Sequence, residues 1–178
     1  MQPMVALCVP AVLLLLAAQA PAAAPAAITT STVAFRGELQ DEAAVLQRIH
    51  AALDAAVAGF PFFVRPFARG QVATSHLPPP RTLWVRVEGS LVHLGFSPRG
   101  QTLKIVAGSA PVVIDVDGVA ARVAATVVGD TVTIVADRDE GTRTLIIQVN
   151  DSHAMVDVIV TSPQLQRGLR YRLRYTAP

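Results

Sequence analysis

From residue 81 onward, apolar and polar side chains alternate with period two. Leu83, Val85 and Val87 hold one phase, and Trp84, Arg86 and Glu88 hold the other. Such alternation marks strands with one buried face. The pattern returns at 91–96, 102–107, 112–116, 119–128, 131–136, 142–149, 154–161 and 169–176. Turn residues separate the runs: Gly89-Ser90, the stretch 97–100, Asp117-Gly118, Gly129-Asp130, Glu140-Gly141, Asp151-Ser152 and 163–168. Nine short strands joined by tight turns predict an antiparallel up-and-down meander, and eight or more such strands usually close into a barrel. No residue-level repeat supports a propeller or solenoid.

Ahead of the strands the period changes. Leu39, Leu46, Ile49, Leu53 and Ala56 recur at helical spacing, which predicts an amphipathic helix over 38–58 that stops at Gly59. His50 and Asp54 share a flanking face of it as an exposed pair. Four of the six phenylalanines follow within 60–70, where Pro66 either opens a short second helix or marks an elbow. Segment 71–80, with Pro78-Pro79-Pro80, reads as an extended linker. Segments 38–70 and 81–178 together form one domain, preceded by a flexible Ala/Pro/Thr lead-in over 23–37.

Residues 5–18 are an apolar run of fourteen with Leu13 to Leu16 at its centre. That length fits a signal-peptide core and falls short of the ~20 residues that span a bilayer. Ala18 and Ala20 have the small-residue spacing of a cleavage site, with cleavage after Ala20 or Ala22. Residues 1–22 are therefore expected to be a signal peptide, and the protein to be exported to the periplasm or beyond. No Lys or Arg precedes the run, a departure from the usual leader. Cys8, the only cysteine, lies inside it, so the mature chain would lack disulfides, thiolate catalysis and Cys-based metal sites.

Segment 62–69, the ending Thr161-Ser162-Pro163-Gln164-Leu165, and the alternation Leu169-Arg170-Tyr171-Arg172-Leu173-Arg174-Tyr175, with the meander between them, resemble a group of exported bacterial proteins of unassigned function. The resemblance covers about 38–176 and implies a lipocalin-like (calycin-like) β-barrel and an exported location. It transfers no catalytic or binding residue. In fatty-acid-binding proteins the helical lid follows the first strand, whereas here the predicted helix precedes every strand, which leaves its role as a lid open.

Composition narrows the function classes. Charged residues make up 16% of the chain and the net charge is +2, which fits neither a disordered tail nor a nucleic-acid-binding domain. Most predicted strands are shorter than the ~9–11 residues of a membrane-spanning barrel. No Gly-x-Ser-x-Gly elbow occurs, and neighbours in Asp151-Ser152-His153 cannot take up triad geometry. Asp115-Val116-Asp117-Gly118 lacks the later ligands of a calcium loop, and the four histidines lack zinc-ligand spacing. No enzyme, metal or cofactor is expected.

What remains is a barrel that either holds one small ligand or is filled by its own side chains. The run Ala120, Ala121, Ala124 and Ala125 leaves room inside or fits a taper. Phe62, Phe63 and Phe67 line an opening or dock the helix onto the barrel. Tyr171 and Tyr175 share the apolar phase of the last strand. Arg170, Arg172 and Arg174 share the other phase, where the favoured reading is a solvated outer face pairing with carboxylates across strands. The candidate ligand-binding residues are thus Phe62, Phe63, Phe67, Tyr171, Tyr175 and Arg172. The expected ligand is a small apolar or amphipathic molecule such as a fatty acid. The alternative is a structural or interaction protein of the cell envelope with a filled barrel.

Overall fold

In the computed structural model, residues 33–74, 76–96, 102–116, 119–163, 165 and 167–178 are described. The expected signal peptide, most of the lead-in and the turns at 97–100 and 117–118 lie outside them. The chain begins with a strand, β1 (Ala34–Leu39), followed by α1 (Glu42–Val57) and α2 (Arg65–Thr74). Nine strands follow: β2 (Thr82–Glu88), β3 (Leu91–Gly95), β4 (Thr102–Val106), β5 (Val112–Val116), β6 (Val119–Val128), β7 (Thr131–Arg138), β8 (Gly141–Val149), β9 (His153–Thr161) and β10 (Leu169–Thr176). These nine match the strands expected from the alternation.

All ten strands form one antiparallel sheet in the order β4-β3-β2-β1-β10-β9-β8-β7-β6-β5. The meander curls round until β1 bridges its two halves. It pairs Phe35 with Val85 on β2 and Leu39 with Tyr175 on β10. The barrel is therefore nearly closed, with edge strands β4 and β5. Just beyond β4 the Gly108 amide donates to the Ala125 carbonyl of β6 at 2.9 Å. The sheet thus leans together past β5.

Two expectations need correction. Residues 34–37 are strand and not flexible lead-in, and the helix begins at Glu42 and not at residue 38. Asp41, in the left-handed conformation (φ 52°), turns the chain from β1 into α1. Leu39, read as part of the helical stripe, is on β1; the buried helical residues are Val45, Ile49, Leu53, Ala56 and Val57. The helix pair accordingly follows the first strand. The second correction concerns 71–80, whose first four residues complete α2.

Inward positions carry the core. On β10 they are Leu169, Tyr171, Leu173 and Tyr175, and β8 adds Leu145 and Ile147. Helix α1 lays its buried stripe against the same core. Burial of this one continuous apolar cluster is the main source of stability, at roughly 25 cal/mol per Å² of apolar surface removed from water.

Candidate functional site

The barrel interior is apolar except for one cluster. Strand pleating aims Tyr171 and Tyr175 inward from β10, and the same alternation places Arg143 in phase with Leu145 and Ile147 on β8. His76 enters from the segment that joins α2 to β2, where its amide donates to the Ala73 carbonyl at 3.0 Å. The His76 Nδ1 and the Tyr171 hydroxyl share a hydrogen bond of 3.1 Å, with the two rings edge to face. The Tyr175 hydroxyl donates to the Pro80 carbonyl at 2.8 Å. Phe96 packs edge-on against Tyr175, with ring centroids 6.3 Å apart.

Arg143 lies over the other part of this cluster, its guanidinium carbon 5.8 Å from the centre of the Phe96 ring. Its Nε is buried and makes no hydrogen bond among the described residues. No carboxylate forms an ion pair with it there either. The residue as a whole is part-buried, and it is the desolvated Nε donor, left without an acceptor, that is costly. The electrostatics of the neighbours reflect this setting. Burial, with the Arg143 charge adding to it, pushes the His76 pKa down to about 4, so His76 is neutral at pH 7. Burial raises the pKa of both tyrosines above the usual phenol value, and Arg143 opposes the rise.

The rest of the interior is tightly filled. Val85, Leu94, Ile134, Ile147, Val156 and Leu173 are 0–2% exposed, so no water-sized void borders them. Ala121 and Ala125 are buried in this packing, whereas Ala120 is exposed and Ala124 lies between the two. Outside the barrel, Ala34, Arg36, Trp84 and Arg86 line an open groove of about 470 Å³ across β1 and β2.

The sequence-derived candidates separate into two groups. Tyr171 and Tyr175 join the interior cluster. Phe62, Phe63 and Phe67 neither line an opening nor dock the helix; they are 80%, 71% and 70% exposed on the outer side of the helix pair. Arg172 points away from the interior and forms two bonds, of 2.7 and 2.6 Å, to Asp157, its partner across the strands. That hydrogen bond and charge hold the Asp157 carboxyl below its usual pKa. Arg172 is therefore an outer-face residue, as the period-two phase favoured.

His50 and Asp54 are brought together by Arg69 of α2, which donates to Asp54 at 2.6 Å and lies 2.9 Å from the His50 Nδ1. The pair thus anchors one helix to the other. In the 151–153 turn, the Ser152 hydroxyl faces the His153 Nδ1 at 3.2 Å, while Asn150 meets the Nε2 at 2.8 Å. A triad would need Ser on Nε2 and an acid on Nδ1. Among the described residues no three His, Cys, Asp or Glu side chains are placed to hold a metal ion.

Arg143 and His76 went unnoticed in the sequence. For Arg143 a signal was present, since it shares the apolar phase of Leu145, Ile147 and Val149, as Arg138 shares that of Val132, Ile134 and Ala136 on β7. His76 sits in a non-repeating segment and carried none.

No family profile matches the chain, and no curated protein matches it. Among solved structures, the chain is similar to the fatty-acid-binding protein in brain tissue of Drosophila melanogaster, solved without citrate inside. The identity is 15% and the TM-score 0.50, over 83% of this chain and 100% of that one. It is also similar to apo Caenorhabditis elegans lipid binding protein 8, at 13% identity and TM-score 0.48, over 80% and 93%. A third is the fatty-acid-binding protein from Manduca sexta, at 14% identity and TM-score 0.43, over 84% and 100%. The first likeness shows the fold, a calycin-type barrel with a helix-turn-helix between its first two strands. The resemblance to exported bacterial proteins holds at the level of that barrel, and no match supports their family.

Proposed function

We propose that the protein is an exported, non-catalytic binding protein that holds a small amphipathic anion, its headgroup on Arg143 and its tail in the apolar interior. One observation carries this reading: the buried Nε of Arg143 has no hydrogen-bond partner among the described residues. A guanidinium offers a carboxylate two parallel donors, and such charge-assisted bonds are about twice as strong as neutral ones. The Tyr171 hydroxyl, beside neutral His76, adds a polar group in the same interior. The fold is of a size that either holds a single small ligand or is filled by its own side chains. The apolar run at 5–18 supports export. Because the interior around Ile147 and Leu173 is filled, holding a tail requires outward movement of segment 76–80 and the helix pair.

The sealed packing around Ile147, Val156 and Leu173 favours a second reading, an envelope interaction protein whose barrel stays filled. Native mass spectrometry of gently purified protein, before and after organic extraction, separates the two. An excess mass that extraction removes, recovered as an acid with an apolar tail, is the expected result. A bare mass together with no saturable binding of medium-chain carboxylates overturns the first reading, and crosslinking to a protein partner then supports the second.

A further inference from the structure

The interior bond between His76 and Tyr171 is limited by its hydrogens. The Tyr171 hydroxyl and the His76 Nδ1 are 3.1 Å apart. A phenol holds one hydrogen, and a neutral imidazole holds one donor and one acceptor. When the phenol donates to Nδ1, its hydrogen is used and only its oxygen lone pairs are left for a ligand. Those lone pairs repel an anion. When Nδ1 carries a hydrogen, the phenol accepts from the imidazole and its own hydrogen is free for a further acceptor. Tyr175 has no such freedom, because its hydroxyl donates to the Pro80 carbonyl.

The groups around His76 set which form an anion selects. Its ring is buried and meets Tyr171 of β10 edge to face. From α2 the Ala73 carbonyl accepts from its amide, and from β8 the Arg143 charge bears on it. The acids of α1 are turned elsewhere, Asp54 to Arg69 and Glu42 to Arg81. The cluster thus combines two basic groups and two phenols, and no carboxylate among the described residues pairs with either base.

Resting on the reading that an anionic headgroup sits on Arg143, we propose that His76 is its positioning residue: it takes up one proton from solvent as the anion binds, and its Nδ1–H then turns the Tyr171 hydroxyl to donate to the headgroup. The anion cancels the Arg143 field that helps to keep His76 neutral. It also adds an attraction of its own, which is strong in a desolvated site and works against the burial that disfavours the imidazolium. In the empty protein the His76 pKa is about 4. The complex holds the extra proton, so affinity rises as pH falls. Recovery of the ordinary value of 6.5 in the complex makes binding about thirtyfold tighter at pH 5 than at pH 8.

The test is isothermal titration calorimetry of the purified full chain with decanesulfonate below its micelle concentration. A sulfonate stays ionised throughout this pH range, so any proton taken up goes to the protein. Titrations at pH 5.5 in buffers of different ionisation enthalpy should show close to one proton gained per anion, and almost none at pH 8. His76→Gln keeps a donor for the Tyr171 oxygen without titrating, so its affinity should be flat across the range. Tyr171→Phe should lose more affinity at pH 5.5 than at pH 8, because the phenol donates to the headgroup only when His76 is charged. Wild-type binding with no proton uptake and no pH dependence would overturn the proposal, with no variant needed, and would leave the anion on Arg143. Uptake that persists in His76→Gln would place the proton on another group and overturn it too. An absence of binding at either pH, or binding unchanged in Arg143→Leu, would remove the headgroup site itself and this proposal with it.

Discussion

Replacing Arg143 by Leu is expected to stabilise the empty protein and to remove most of its response to an anionic amphiphile. A buried donor left without an acceptor costs about 1–3 kcal/mol. The contact with the Phe96 ring returns about 0.5–1 kcal/mol of this. Leucine loses that contact, carries no donor and matches its neighbours Leu145 and Ile147 on β8. The net gain is of order 1 kcal/mol, which in a domain of this size raises Tm by about 2–4 °C.

Ligand reverses the order of the two proteins. At a hundred times Kd a ligand stabilises wild type by about 2.7 kcal/mol, or roughly 5–10 °C. Losing a charge-assisted bond of about 2 kcal/mol weakens binding about thirtyfold. At the same ligand concentration the variant then gains only about 0.8 kcal/mol. Thermal melts followed by circular dichroism, with dodecanoate below its micelle concentration and dodecanol as the neutral control, read both effects. A variant that melts several degrees below wild type without ligand would mean that Arg143 has a structural partner, and the argument from its missing bond would fail. Equal dodecanoate shifts in the two proteins would remove the headgroup role.

Other substitutions probe the surrounding structure. His76 is held neutral with its pKa pushed down to about 4 from an unfolded value near 6.5. The unfolded chain therefore takes up the proton first as pH falls. Stability from this group is complete above pH 6.5 and declines by about 3 kcal/mol towards pH 4; urea titrations of wild type minus His76→Asn should trace that slope, and a flat difference would contradict it. For Asp157, whose folded pKa is also depressed, the sign is the same: its stability is lost as pH falls, in a more acid window. Its contribution is present above pH 4 and is lost as pH drops through the folded pKa, so wild type should exceed Asp157→Asn at pH 7 and converge with it in strong acid. Leu173→Ala should cost about 2–5 kcal/mol in denaturant unfolding, as expected for a filled interior, and a cost well under 1 kcal/mol would mean a hollow one. Gly95→Ala would drive a methyl into the Trp84 indole on the outer face, so the fluorescence of this single tryptophan should shift together with a drop in Tm.

The strands β2–β10 were legible because their inward positions are almost all large and apolar, as in Leu83, Val85 and Val87. Strand β1 was hidden by Gly37. That inward position has no side chain because a Cβ there would lie 2.6 Å from the Phe35 ring and 2.7 Å from the Thr176 carbonyl. Close approach of β1 to its neighbours thus erased the alternation that would have revealed it. Leu39, in phase with both β1 and the helical stripe, completed the misreading. The exposure of the phenylalanines was equally out of reach, since a cluster of rings carries no period that says which side is wet.

The two kinds of arginine on the strands make the same point about function. Arg170, Arg172 and Arg174 oppose the apolar phase of β10, so pleating sends them outward, where Arg172 pairs with Asp157. Arg143 takes the apolar phase of β8, so the same rule sends it inward, where no carboxylate among the described residues pairs with it. One residue type thus serves as a satisfied surface ion on one strand and as an uncompensated charge on another, separated by a single step of register. A part-buried cation in this interior weakens the fold, because its contact with the Phe96 ring offsets only part of the cost of its unpaired Nε.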